Sequence, residues 1–189
     1  IVRSLHVEGY LFFNHFWNCS VQESISSFEV MNNLVAIVGR PNVGKSTMFN
    51  RLTETKDAIV DPTSGTTRDR KYGRAEWIGR QFTVIDTGGW ITKSDDAFEA
   101  AIRAQVQISI EEAAVIVFMV DSQTGITDLD EDIARLLRKS GKEVVLACNK
   151  VDTGAHDVQT AEFYRLGLDS LVHPVSSSSG YGTGDFLDA

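Results

Sequence analysis

The chain has 189 residues, of which 42% are hydrophobic and 23% charged, a composition that suits one globular α/β domain with a hydrophobic core. Its net charge of −8 argues against broad nonspecific contact with nucleic acid, and no apolar run approaches the roughly 18 residues of a membrane-spanning helix. Its two cysteines, Cys19 and Cys148, form no CxxC pair, which argues against a cysteine metal site or disulfide framework and favours a reducing, intracellular setting.

Residues 1–30 differ in character from the rest of the chain. They begin with Ile1 and include an aromatic run at residues 10–17 that is interrupted by polar side chains. The segment lacks the basic start, long apolar run and cleavage site of a signal peptide. Met31 is a natural start, so we expect residues 1–30 to be an upstream or artificial extension outside the fold, with no catalytic role.

A glycine loop follows the apolar residues 35–38, which read as a buried strand, and precedes a predicted helix at 45–53. It fits the pattern G-x-x-x-x-G-K-[ST], in which glycines let the backbone amides curl around phosphate oxygens at a helix N-terminus. Lys45 can reach the outer phosphates, and the hydroxyl of Ser46 can ligate Mg²⁺. The expected phosphate-binding residues are Gly39, Arg40, Pro41, Asn42, Val43, Gly44, Lys45, Ser46 and Thr47.

Residues 61–69 are rich in turn formers and read as a loop. Thr66 or Thr67 could complete a Mg²⁺ shell when a γ-phosphate is present, and the residues alone do not decide which. Residues 71–77 and 81–85 are predicted strands joined by a turn at Gly79, so that one strand pair is antiparallel.

A second phosphate-side motif, Asp86-Thr87-Gly88-Gly89, follows the strand at 81–85. The carboxylate of Asp86 can hold the Mg²⁺ shell, usually through water, because Mg²⁺ keeps several of its own waters. Gly89 can offer its N–H to a γ-phosphate, since the lack of a side chain lets the backbone come close.

The rest of the chain alternates predicted strands with predicted helices, and this alternation indicates a parallel sheet covered on both faces. The final residues read as the first turn of a helix, so we expect a domain over residues 31–189 that is truncated in its last helix. The predicted helices cover residues 97–112, 128–140 and 157–166, and the predicted strands residues 114–121, 143–148 and 171–175.

A specificity motif, Asn149-Lys150-Val151-Asp152, follows the strand at 143–148. An ionised carboxylate only accepts hydrogen bonds, so Asp152 can accept from the N1–H and the exocyclic amine of guanine. Adenine presents an acceptor at N1, which would leave the carboxylate unsatisfied, and unpaired polar groups give strong discrimination. The motif therefore favours guanine over adenine.

These motifs resemble the guanine-nucleotide-binding signature of the translation-factor-related GTPases. More narrowly, they resemble the first GTPase domain of the Der (EngA) family, bacterial ribosome-assembly GTPases with two tandem G domains. The resemblance runs from about Met31 to Ala189 and is carried by residues 35–47, 49–52, 85–89 and 101–106. It implies a three-layer α/β P-loop NTPase fold of the Ras-like G-domain type, with a mostly parallel six-stranded sheet, one antiparallel strand and helices on both faces.

The family pattern also implies roles for individual residues. Thr67 matches the threonine that joins Ser46 and Asp86 at Mg²⁺, and Ser177 replaces the alanine of a Ser-Ala loop whose backbone N–H contacts guanine. Residues implied in catalysis are Lys45, Asn42, Thr67 and Gly89. Beyond the phosphate loop, residues implied in nucleotide binding are Asp86, Thr87, Gly88, Gly89, Asn149, Lys150, Asp152, Ser176 and Ser177.

Trp90 departs from the Ras-like pattern, because it stands where those proteins place the glutamine that orients water. Related GTPases with an apolar residue here use other means, several of them K⁺, and Asn42 matches the asparagine associated with that ion. A K⁺ near the phosphates would neutralise developing negative charge. The alternative is that Asn42 only caps the loop.

The leading hypothesis is an enzyme that hydrolyses GTP to GDP and phosphate with Mg²⁺, and K⁺ stimulates it. The resemblance further implies a cytoplasmic full-length protein with a second G domain and a KH domain, acting at the ribosome. One alternative is a nucleotide-gated binding module with negligible hydrolysis. Another is a tRNA-modification GTPase of the TrmE type, whose catalytic glutamate after the DTGG motif would have to be matched by Asp95 or Glu99.

Overall fold

The computed structural model describes residues 33–53, 71–87 and 95–189, without the side chains of 95–98 and 154–159. The predicted extension over residues 1–30 lies outside the described residues, as does the loop that carries Thr66 and Thr67. Gly88, Gly89 and Trp90 also lie outside them. The roles expected for these residues stay predictions.

The described strands form one six-stranded sheet. In chain order they are β1 Leu34–Val38, β2 Lys71–Trp77, β3 Arg80–Asp86, β4 Val115–Asp121, β5 Glu143–Asn149 and β6 Val172–Pro174. Their order across the sheet is β2-β3-β1-β4-β5-β6. The β2–β3 hairpin pairs antiparallel, and the other four pairings are parallel. The predicted mostly parallel sheet with one antiparallel strand is confirmed.

Within residues 33–53, 71–87 and 95–189, four α-helices and one 3-10 segment connect and cover these strands. The helices are α1 Lys45–Thr53, α2 Asp95–Glu112, α3 Asp128–Ser140 and α4 Thr183–Asp188, and the 3-10 segment is Gly154–Leu166. No helix in the described ranges combines the length and apolar content that crossing a membrane requires. The connections between parallel strands are helical, as the alternating pattern predicts.

The helix predicted at 157–166 lies within a 3-10 segment, a helix type that the sequence did not specify. Over residues 160–166, where side chains are described, the buried ones are Thr160, Phe163 and Leu166, a spacing of three. A 3-10 helix has 3.0 residues per turn, so residues three apart share one face. The burial pattern therefore matches the tighter helix.

The central strands send alternate side chains into two separate cores. Phe118 and Val120 of β4 lie in one core, whereas Val117 and Met119 of the same strand lie in the other. Helices α2 and α3 and the 3-10 segment supply the first core, and α1 and α4 supply the second. Because both faces are covered, β4 is apolar along its length, as a strand buried on both sides should be. The predicted three-layer fold is confirmed.

The parallel strands bring their carboxyl ends to one edge of the sheet, where open α/β folds bind ligands. Gly39 follows β1 there, and Asp86, Asp121 and Asn149 are the last residues of β3, β4 and β5. Ser176 lies two residues past β6. This edge therefore gathers residues from every predicted motif in the described part of the chain.

The turn at the tip of the β2–β3 hairpin places Ile78 in an unfavourable backbone conformation. Ile78 and Gly79 both have positive φ, at 47° and 75°, which is the pattern of a type I′ turn. Ile78 is β-branched, a class of residue that this region disfavours, and its side chain is 79% exposed. Little packing energy can therefore offset its backbone strain.

We predict that Ile78→Asn stabilises the chain by about 1 kcal/mol, because asparagine tolerates positive φ and favours this turn. Urea unfolding followed by circular dichroism measures the change. The matched control is Gly79→Ala, whose added Cβ would meet nothing within 4 Å and so reports backbone strain alone. Destabilisation by Ile78→Asn would show that the exposed isoleucine makes a contact worth more than its strain.

Candidate functional site

The loop between β1 and α1 approaches its neighbours too closely for side chains at two glycines. Gly39 has φ 148°, and a Cβ there would lie 2.3 Å from the carbonyl oxygen of Met119. Gly44 has φ 101°, and a Cβ there would lie 2.2 Å from Nδ2 of Asn149. The two glycines required by the phosphate-loop pattern are thus also required by its packing.

Lys45, the first residue of α1, turns back over this loop. Its side chain is 8% exposed, and Nζ donates to the carbonyl oxygens of Gly39 and Arg40, both at 2.9 Å. Burial lowers the pKa of Lys45 to about 8, against the opposing effect of Asp86. Its two hydrogen-bond partners are neutral carbonyls, so the ammonium held at the loop remains able to attract an anion.

Ser46 and Asp86 place two oxygen donors side by side. The hydroxyl of Ser46 donates to Oδ2 of Asp86 at 2.6 Å, and Asp86 is 3% exposed. Next to it, the hydroxyl of Thr87 donates to the carbonyl of Ile37 at 2.7 Å, which ties the end of β3 to β1. Hydroxyl and carboxylate oxygens are the hard donors that Mg²⁺ binds, so the residues present fit that ion.

Asn149 joins the phosphate loop to the loop after β6. Its side chain is buried, and Nδ2 donates to the carbonyl of Val43 at 2.7 Å. Oδ1 accepts from the backbone N–H of Ser177 at 2.8 Å and from its hydroxyl at 3.0 Å. The backbone contact to guanine that the resemblance assigns to Ser177 is therefore shared with Asn149 in this structure.

The other two residues predicted to recognise the base are also held by hydrogen bonds or ion pairs. Lys150 has a positive φ of 69°, and its Nζ lies 2.6 Å from Oδ2 of Asp121. Asp152 is exposed, and its Oδ1 accepts from the hydroxyl of Ser176 at 2.7 Å. The second carboxylate oxygen of Asp152 is thus at the surface, next to residues that fix its direction.

Arg40 is one of the residues expected to wrap phosphate with the loop backbone, and its side chain points away to two carboxylates. Its Nε donates to Oδ2 of Asp130 at 3.3 Å, and its Nη2 lies 3.7 Å from Oδ2 of Asp121. The backbone carbonyl of Arg40 still holds Lys45. Its place in the phosphate loop is therefore that of a backbone residue with a structural side chain.

Thr127 and Asp130 form a capping box at the start of α3, in which Asp130 accepts hydrogen bonds from the backbone N–H and the hydroxyl of Thr127. The side chain is fully buried, and its Oδ1 has no hydrogen-bond partner among the described residues. Burial raises the pKa of Asp130 despite the hydrogen bonds from Thr127 and Arg40. Asp121 differs: burial opposes ionisation, but hydrogen bonds from Lys150, Gln123 and Thr124 hold its pKa below the usual range.

Sequence reasoning missed Asp121 and Asp130, although both left a signal. Asp121 ends the apolar run of β4, and a charged residue at that position lies at the ligand edge of a parallel sheet. Thr127 and Asp130 are spaced as in a capping box before a helix. Nothing in the sequence links either residue to Arg40, which lies 90 positions before Asp130.

We predict that Asp130→Ala destabilises the chain by about 3 kcal/mol, because it removes the helix cap and leaves the largely buried Arg40 side chain with only its longer contact to Asp121. Urea unfolding measures the change. Asp128→Ala is the matched control, since Asp128 is exposed in the same helical turn, and its effect should stay within about 0.5 kcal/mol. Equal effects of the two substitutions would contradict the structural role of the Arg40–Asp130 pair.

Comparison with known proteins agrees with this site. Residues 34–150 match the family described as 50S ribosome-binding GTPase. GTPase Der from Bacteroides thetaiotaomicron is 55% identical over 158 residues, and GTPase Der from Flavobacterium johnsoniae is 58% identical over 158 residues. Each alignment covers 84% of this chain and 36% of the relative, so the chain spans about a third of the length of these proteins.

Solved structures show the same fold. Aquifex aeolicus Era bound to GDP and AlF₄⁻ aligns with a TM-score of 0.63 and 33% identity, covering 82% of this chain and 54% of Era. A complex of Era with MgGDPNP and part of 16S ribosomal RNA aligns at 0.64 and 34%, with the same coverage. The chain therefore belongs to the 50S ribosome-binding GTPase family, and its resemblance to the Der GTPases is confirmed.

Proposed function

We propose that this chain binds GTP and GDP at the carboxyl edge of its sheet and hydrolyses GTP to GDP and phosphate with Mg²⁺. The observation that carries the proposal is the side chain of Asn149, which holds the phosphate loop through Val43 and the base loop through Ser177. One buried amide thus sets the spacing between a phosphate cradle and a base-reading carboxylate. A nucleotide is the ligand that needs both at a fixed separation.

Guanine selectivity would come from Asp152. Its Oδ1 is held by the Ser176 hydroxyl, which orients the carboxylate toward the base. Two adjacent donors on guanine satisfy an ionised carboxylate, whereas adenine offers one acceptor and one donor. The aliphatic part of Lys150, whose ammonium is paired with Asp121, can cover one face of the base.

Hydrolysis would depend on placement rather than on covalent catalysis. Lys45 stabilises charge on the outer phosphates, and Ser46 and Asp86 hold Mg²⁺, which neutralises charge on the β- and γ-phosphates when bound. The family pattern adds Thr67 to the metal ligands and the N–H of Gly89 to the γ-phosphate contacts. We identify no general base among the described residues near Lys45, so a slow intrinsic rate is expected.

In the longer protein, we propose that this domain acts with a second G domain and a KH domain in assembly of the large ribosomal subunit, in the cytoplasm. Two observations support this: the family description names the 50S ribosome, and the curated relatives are Der GTPases about three times longer than the matched segment. The solved Era complex with 16S ribosomal RNA supports a ribosomal setting for similar G domains.

A second candidate is a nucleotide-gated binding module that hydrolyses GTP negligibly by itself. Single-turnover phosphate release with GTP and Mg²⁺ separates the two functions. A rate above that of GTP in buffer, lost in Lys45→Ala, supports the enzyme. Tight GTP binding without phosphate release supports the module, and equal competition by ATP and GTP would contradict guanine binding altogether.

We predict that Asp152→Asn weakens GDP binding by about 100-fold, because two charge-assisted hydrogen bonds of about 1.5 kcal/mol each are lost. The same variant should bind xanthosine diphosphate more tightly than the unaltered chain does, since an amide can donate to the 2-oxo group of xanthine. Calorimetric titration with both nucleotides measures this. Unchanged GDP affinity would show that Asp152 does not read the base.

We predict that phosphate release is faster in KCl than in NaCl at equal ionic strength, and that Asn42→Ala removes the difference. Asn42 is exposed at a positive φ of 63° in the phosphate loop, so its side chain is free to face a bound nucleotide. A K⁺ there would neutralise transition-state charge. Equal rates in the two salts would leave Asn42 as a loop cap only.

A further inference from the structure

Arg51, in the last turn of α1, reaches the loop that follows β6. Its Nε donates to the carbonyl of Ser177 at 2.6 Å, and its Nη2 donates to the carbonyl of Ser178 at 2.5 Å. The two partners lie 126 and 127 positions further along the chain. A planar guanidinium that grips two successive carbonyls fixes both peptide groups at once.

Fixing those carbonyls also fixes the amides behind them, because C=O and N–H point in opposite directions across a trans peptide. The N–H of Ser178 therefore points away from Arg51. It has no hydrogen-bond acceptor among the described residues, whereas the N–H of Ser179 donates to the hydroxyl of Ser176 at 3.2 Å. Ser178 itself is exposed, so this amide is available to a ligand.

The loop lies between Arg51 and the base-recognition residues. The carbonyls of Ser177 and Ser178 face Arg51. Two donors of the loop face the base-recognition residues instead, the Ser176 hydroxyl toward Asp152 and the Ser177 amide toward Asn149. The N–H of Ser178 points away from Arg51, as these two donors do. It is therefore directed to the side of the loop where Asp152 would meet a purine.

We propose that Arg51 is a specificity-positioning residue: it holds the carbonyls of Ser177 and Ser178 so that the Ser178 N–H donates to the 6-oxo group of the base. The proposal rests on the guanine-nucleotide binding proposed above. Guanine and hypoxanthine present an acceptor at position 6, whereas adenine presents an amine that would oppose the amide N–H. Through this amide, Arg51 adds a check at position 6 of the base to the one that Asp152 makes at positions 1 and 2.

The test compares the full chain with Arg51→Gln, using calorimetric titration with GDP, IDP and inorganic tripolyphosphate. We expect GDP and IDP to weaken by the same factor of about ten, the effect of one lost hydrogen bond to the base. Tripolyphosphate affinity should not change, because the phosphate loop keeps its own contacts. The GDP affinity of Arg51→Lys should lie between those of the unaltered chain and Arg51→Gln, since an ammonium keeps the charge but lacks the planar guanidinium that binds two carbonyls.

Gly180 provides an independent variant on the other side of the contact. A Cβ at Gly180 would lie 2.8 Å from Nη1 of Arg51, and φ there is 89°, so Gly180→Ala should displace the guanidinium. Its loss of GDP affinity should match that of Arg51→Gln, and the double variant should lose little more. Arg103→Gln, at an exposed arginine that pairs with Glu99 and Asp132, should change nothing.

Two results would overturn the role of Arg51: unchanged GDP affinity in Arg51→Gln, or an equal loss for GDP and tripolyphosphate, which would mean general damage to the fold. If Arg51→Gln does not fold, as judged by circular dichroism, the comparison rests on Arg51→Lys and Gly180→Ala. Failure of the unaltered chain to bind GDP would contradict the proposed function instead, so the two failures are distinguishable.

Discussion

The buried amide of Asn149 is the contact on which the rest of the site depends. A side-chain amide has both donors and an acceptor, so one residue can hold a carbonyl on one loop and an N–H on another. Asn149 does this between Val43 and Ser177, and it packs against Gly44 so closely that no side chain fits there. Removing it would leave buried polar groups on two loops unpaired, which costs more than the bonds themselves contribute.

Around this contact, two basic side chains form ion pairs with acidic residues of the protein. Arg40 and Lys150 are both directed to Asp121, and Arg40 also reaches the buried carboxylate of Asp130. The positive charges of Arg40, within the loop, and of Lys150, beside it, are thus neutralised by aspartates. Lys45 alone among these three has neutral carbonyls as its hydrogen-bond partners, so the positive potential at the loop is concentrated at the ammonium that we propose contacts phosphate.

The sequence predicted those parts of the structure that depend on neighbours along the chain. The continuous apolar run of β4 indicated burial on both faces, and strand, glycine loop and helix in succession located Lys45 and Ser46. It did not predict the 3-10 segment, because burial at Thr160, Phe163 and Leu166 is a matter of packing. Nor could it predict contacts such as that of Arg51 with Ser177. These residues are more than a hundred positions apart in the chain, and the order of the strands in the sheet brings them together.

In the proposed function, the residues that bind the base differ from those that would distinguish GTP from GDP. The proposed base-recognition residues Asn149 and Asp152 would meet the same base in GDP and in GTP. A ligand can shift a conformational equilibrium only by its differential affinity for the two states, so these shared contacts cannot distinguish the nucleotides. Discrimination between GTP and GDP would therefore come from groups that touch the γ-phosphate, for which Lys45, Thr67 and Gly89 are the proposed candidates. In the proposed function, the edge built around Asn149 would therefore govern the choice of base, and the response to hydrolysis would depend on the groups at the γ-phosphate.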